Sequence, residues 1–170
     1  MRARVAIAAV IALLALAGII ALVVHAVTGN SGGPAVFPFG ATATAPAPFG
    51  AFEEGRVALD GKCVRVLVAR SAQQRSQGLR GVTSLGPYAG MLFVFPGTAS
   101  ARFTMAQTPT PLAITWYDAK GNPVDGTQMT PCPDGTDATC PTYASKHSYR
   151  YALEHFSGSG SGAAGALAGC

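Results

Sequence analysis

A compact, barrel-like antiparallel domain, mainly β and of α+β class, with one short helix and a transmembrane helix ahead of it, is the fold this sequence predicts. Three observations carry that reading. Behind Met1 to Arg4 the chain opens on a long run without formal charge, in which His25 is the one strongly polar side chain. Its middle breaks into short alternating or apolar segments separated by Gly and Pro, the mark of many short strands. Only one of those segments carries helix start and stop signals.

The opening run extends from Val5 to Val27 with no formal charge. At about 1.5 Å per helical residue it spans roughly 34 Å, more than a bilayer core of about 30 Å. Arg2 and Arg4 precede it and the next Lys or Arg is Arg56, so the positive-inside rule keeps the N-terminus cytoplasmic and sends the rest outside. A cleaved signal peptide is the competing reading, and Val24-His25-Ala26 fits its small-x-small site. The apolar length favours a retained anchor, residues 1–27. Cleavage would instead release a secreted domain.

The formal charge of +4 includes Arg2 and Arg4; without them ten basic residues face eight acidic ones. With no basic cluster, that balance excludes a nucleic-acid partner. Residues 28–52 are rich in Gly, Pro, Ala and Thr and are expected to be a linker. Such a tether would hold the domain about 25–30 Å from the membrane. The tail, residues 157–170, has one large apolar side chain and is also expected to be irregular. Residues 53–156 then form one small domain, of a size that gains from a covalent staple.

Within it, "RVALDGKCVRVLVA" alternates around Asp60-Gly61, a hairpin signal. Ser71 and Gln74 match a capping box and Gly78 suits a helix stop, predicting a helix over Ala72 to Gln77. "GMLFVFP" is apolar throughout and reads as a buried central strand. "ARFTM" alternates as a further strand. "PLAITWY" and "PVDGTQMT" flank the turn "DAKGN" as a second hairpin, with Pro123 tolerable only at a strand start. "SYRYALEHF" places Tyr149, Tyr151 and Leu153 on one face and Arg150, Ala152 and Glu154 on the other.

The succession of "QQRSQGLRG" (Gln73 to Gly81), "GMLFVFP" (Gly90 to Pro96), "FTM" with "TPTPLAI" (Phe103 to Ile114), "DAKGNPV", "PC" with "CPTY", and "YALE" (Tyr151 to Glu154) resembles the domain-of-unknown-function 192 family. These are small bacterial and archaeal domains, often behind an export signal. The resemblance implies a compact, mostly β, barrel-like domain and brings no established activity. The chain departs from the family pattern of Phe-Trp-Met, a basic residue and Asn-Thr, which here reads Phe103-Thr104-Met105, Ala106 and Gln107-Thr108. The family's Pro-Leu-Asp is Pro111-Leu112-Ala113. Any function that needs that Asp or that basic residue is absent from this chain.

Cys132 and Cys140 lack the C-x-x-C spacing of a redox pair and the paired C-x₂₋₄-C spacing of zinc. Outside the cytoplasm a disulfide is the default, and closing so short a loop contributes about 2.5 kcal/mol. Cys63 either pairs with Cys170 or remains a free thiol; four cysteines allow three pairings. No metal, cofactor or convergent catalytic set is expected. Glu154 beside His155 would act as an acid–base pair only if both shared a face, which strand alternation opposes.

A ligand-binding groove is expected from Arg75, Arg80, Arg102, Thr108, Trp116 and Tyr143, which offer cations and aromatic surface for an anionic ligand. The functional reading is an uncharacterised extracytoplasmic binding or interaction module, tethered through its N-terminal helix, whose partner is an envelope protein or a small molecule. The alternatives are a small enzyme centred on Arg75, Thr108 and Tyr143, or a thiol–disulfide role for Cys132 and Cys140. A concave pocket with two or more strongly shifted titratable groups would favour the enzyme.

Overall fold

The structure, a computed structural model, describes residues 43–158 and 165–170. The expected anchor, residues 1–27, lies outside the described residues. Among the described residues no helix is long and apolar enough to cross a membrane.

Asp60 and Gly61 both adopt positive φ, 49° and 76°, the geometry that lets a two-residue loop follow strand twist. They join β2 (Glu53–Leu59) to β3 (Lys62–Ala69) in register. Helix α1 (Ala72–Gln77) follows, capped as its sequence predicts: Ser71 Oγ accepts from Gln74 N and the Gln74 side chain accepts from Ser71 N. The crossover carrying α1 returns the chain to β4 (Met91–Ala99), parallel to β3. Strands β6 (Leu112–Tyr117) and β7 (Pro123–Met129) form the second hairpin, and β9 (Tyr149–Phe156) inserts between β4 and β6.

The resulting order is β1-β2-β3-β4-β9-β6-β7. Strands β1 (Ala43–Thr44) and β10 (Ala168–Gly169) both lie on the outer edge of β2, at opposite ends of it. The sheet is therefore mixed and open rather than the antiparallel barrel expected, because β7 and the β2 edge do not pair with each other. The expected strand at "ARFTM" is reduced to β5 (Phe103–Thr104), which leaves the sheet to pair with β8 (Thr142–Tyr143).

Both faces of the sheet are apolar. Leu67, Met91, Phe93, Ile114 and Ala152 belong to the larger core, while their strand neighbours Val66, Leu92, Tyr117 and Leu153 belong to a smaller one. Strict alternation on β9 predicts Tyr149 and Tyr151 on one face. They enter different cores, because the ladder between β4 and β9 slips between Val94 and Ala99 and turns Tyr149 into the larger one.

The fold reaches past the expected boundaries at both ends. Ala45, Phe49 and Phe52, expected in the linker, are buried in the larger core. Leu167, expected in an irregular tail, is buried in the smaller one, and Leu167 N donates to Gly121 O. Low apolar content misled here because a few well-placed side chains complete an existing core and need not build their own.

Candidate functional site

A cleft of about 520 Å³ opens between α1, β4 and the β5–β8 ribbon. Each wall has an identifiable cause. The capping box fixes α1, and Gln74 Nε2 also donates to Ala51 O. From the second turn Arg75 Nη1 donates to the carbonyls of Arg70 and Val94, and its guanidinium lies 4.9 Å from the centre of the Phe95 ring. Arg80 is engaged at all three nitrogens: Nε to Ser76 O, Nη1 to Ala106 O, and Nη2 to Asp137 Oδ1 at 2.6 Å. Arg102 directs Nε and Nη2 to Thr142 Oγ1.

The wall containing Thr108 is set by the stapled loop. Cys132 and Cys140 are joined by a disulfide with Cα atoms 6.0 Å apart. The Cys132 carbonyl accepts from Gln107 N, and Cys132 N donates to Thr108 O. Gln107 between them has φ 57°. That left-handed conformation suits Asn better than Gln, which gives the Asn of the resembled motif a backbone reason. The second disulfide joins Cys63 to Cys170.

Apolar side chains and one carboxyl form the floor. Phe93 and Phe103 meet edge to face, 5.2 Å between centroids. Glu154 opposes Met91 and Ile114 across the ladders, so alternation sends it to the larger core's face. A Cβ at Gly90 would collide with the Glu154 carbonyl, so Gly90 allows β9 this close approach. Glu154 is only 4% exposed, lines the cleft, and has no hydrogen bond or ion pair to its side chain among the described residues. Burial alone pushes its carboxyl up to about 8, so it is mostly protonated at neutral pH.

Four of the six expected ligand residues, Arg75, Arg80, Arg102 and Thr108, meet at this cleft. Two do not. Trp116 is buried in the larger core, its ring centroid 6.2 Å from that of Tyr149. The Tyr143 hydroxyl accepts from Thr130 N and its ring packs against the core. Of the proposed enzyme centre, Arg75 and Thr108 line the cleft and Tyr143 does not. His155 faces away from Glu154 by alternation; burial lowers its pKa, against the hydrogen-bond contact between its Nδ1 and the Phe156 carbonyl. Glu154, Phe93 and Phe103 were not expected in the site. Their only signal is that a carboxylate stands in an otherwise buried strand.

A second polar cluster lies away from the cleft. Glu54 accepts from Arg65 at 2.6 Å and from the Tyr88 hydroxyl at 2.8 Å, and Arg65 stacks over Tyr88. Its members satisfy one another, with Arg65 first and Tyr88 next holding Glu54 below the usual carboxylate range.

Two solved structures share this fold. One is a protein of unknown function from Novosphingobium aromaticivorans, 23% identical, with TM-score 0.56, covering 70% of this chain and 83% of that one. The other is described as a putative transcription regulator from Sinorhizobium meliloti, also 23% identical, with TM-score 0.51, covering 69% of this chain and 84% of that one. No curated protein matches. The model of the family DUF192, described as Uncharacterized ACR, matches residues 55–162, and on that extent the chain belongs to the DUF192 family.

Proposed function

We propose that this domain is an extracytoplasmic, membrane-tethered binding module that takes a small ligand into the cleft, without catalysis of its own. The observation that carries the reading is Glu154, a buried carboxyl with no side-chain partner among the described residues, facing a cavity of ligand size. Burial strips hydration from this carboxyl, and a ligand bonding to it would offset that loss. Two disulfides support an oxidising location. The tether rests on the apolar run from Val5 to Val27.

Binding is favoured over catalysis by the lining itself. Among the described residues of the cleft, neither a nucleophile nor a base is paired with Glu154. A thiol–disulfide role is disfavoured by burial of Cys140 and by the absence of a C-x-x-C pair. The test is a fragment-library screen by NMR on the full chain in detergent. Hits should shift the amides of Leu79, Phe103 and Glu154. Hits confined to other surfaces, or turnover of any fragment, would overturn the reading.

A further inference from the structure

The cleft's arginines are not equivalent. Arg80 is neutralised by Asp137 and spends its remaining nitrogens on backbone carbonyls, so it holds the wall together. Arg75 uses only Nη1, which leaves the Nε–Nη2 edge of its guanidinium without a partner among the described residues. That edge is the fork that grips a carboxylate through two parallel hydrogen bonds. Arg102 engages Nε and Nη2 and leaves Nη1 without a partner among the described residues. Two cations with spare donors and no ion pair among the described residues therefore stand in the lining, which also holds aromatic side chains and the buried Glu154 carboxyl.

We propose that the ligand is an aromatic carboxylate bound head outward, its carboxylate on Arg75 and Arg102, its ring against Phe93 and Phe103, and a hydrogen-bonding oxygen at its far end on Glu154. This deepens the binding reading and rests on it. Charge selects an anion, since the cleft charges of Arg75 and Arg102 exceed the single Asp137–Arg80 pair that cancels itself. Ring geometry selects an aromatic body: Phe103 already meets Phe93 and Phe95 edge to face, at 87° and 72°, and an added ring can join that array. The far end needs an acceptor because a carboxyl without its own partner is held neutral by burial and donates through its O–H.

The groups around Glu154 explain how pH enters. Strands β4 and β6 present Met91, Phe93, Phe95, Leu112, Ile114 and Trp116 to the larger core, none of them charged. Arg75 and Arg80 come from α1 and its exit, Arg102 precedes β5, and Asp137 comes from the stapled loop. None of these charges contributes to its shift. On β9 itself Arg150 is part-buried and His155 faces the opposite side. Raising pH therefore ionises Glu154 and takes its O–H donor away from the ligand.

The experiment titrates the full chain in detergent with 4-hydroxybenzoate, benzoate, 4-hydroxybenzamide and 4-(aminomethyl)benzoate, read by amide shifts around the cleft. 4-Hydroxybenzoate should bind best, with the neutral amide at least about tenfold weaker. Arg75→Lys and Arg102→Gln should each weaken the acid by about tenfold and leave the amide unchanged. Binding of the parent should weaken between about pH 6 and about pH 9, and Glu154→Gln should bind within about threefold of it at the lower pH and lose that dependence. Equal affinity for acid and amide overturns the proposal while leaving cleft binding intact. Tighter binding of 4-(aminomethyl)benzoate overturns it in favour of a zwitterion paired with ionised Glu154. No shift from any of the four overturns it outright, and the fragment screen then decides the binding reading separately.

Discussion

Glu154 lies in a four-residue stretch, Tyr-Ala-Leu-Glu, that reads as ordinary strand. Its folded carboxyl titrates near 8 against an ordinary value of 4.5, with burial as the cause. The sign of the consequence follows from proton counts. Below 4.5 both folded and unfolded chains hold the proton; between 4.5 and about 8 the unfolded chain releases it and the native chain keeps it. Stability from this group is therefore lost as pH rises through that window, by at most about 1.4 kcal/mol per unit, and levels off above it. Glu154→Gln should raise the denaturant midpoint relative to the parent at pH 8, and the two should converge toward pH 4 in urea melts. A midpoint difference that is constant with pH would show that folding does not shift the Glu154 carboxyl. Sequence alone suggests that Glu154 and His155 do not cooperate, since alternation separates them. It gives no sign that Glu154 borders a cavity, because α1 and β5 that enclose it are distant in the chain.

Among the elements, the hairpin at Asp60-Gly61, helix α1, the central β4 and the β6–β7 hairpin were readable, because each depends on local chemistry. Helix α1 shows the dependence most directly. Its six residues are too few to be stable alone, so the Ser71–Gln74 box carries a large share of its definition. Ser71→Ala should cost about 1 kcal/mol and speed amide exchange at Arg75 and Gly78, with little change in β9. Unchanged exchange at those two amides would mean that Arg75 and Gln74 hold the helix without its cap. Strand β5 and the slip opposite Tyr149 were not readable. A two-residue strand carries no period, and the slip belongs to the pairing of β4 with β9, strands far apart in the chain.

For the molecule as a whole, the two ends of the described chain meet on β2. β1 pairs with its start and β10 with its end, and Cys63 on β3 is bonded to Cys170 beyond β10. The disulfide closes a loop spanning 107 residues, and Leu167 plugs the smaller core just before it. In the chain-entropy model a loop of that size contributes about 4–5 kcal/mol, more than the short Cys132–Cys140 loop. Cys170→Ser should therefore lower stability by about 2–5 kcal/mol and expose the amide of Leu167 to exchange, while leaving cleft shifts near Glu154 in place. If the melt is unchanged, Leu167 and β10 hold this edge unaided.

Composition and local pattern by themselves determined the apolar opening, the β-rich class, the capped helix and a chain suited to disulfides. These follow from interactions between near neighbours, which a linear reading can count. Tertiary structure decided that the sheet stays open, that the ends become part of the fold, and which arginines keep spare donors. Those outcomes depend on contacts between segments far apart in sequence: β9 threading between β4 and β6, the stapled loop meeting α1, and Leu167 reaching the second core. Such contacts set burial, and burial converts Glu154 from one carboxylate among eight acidic residues into the neutral floor of a cleft.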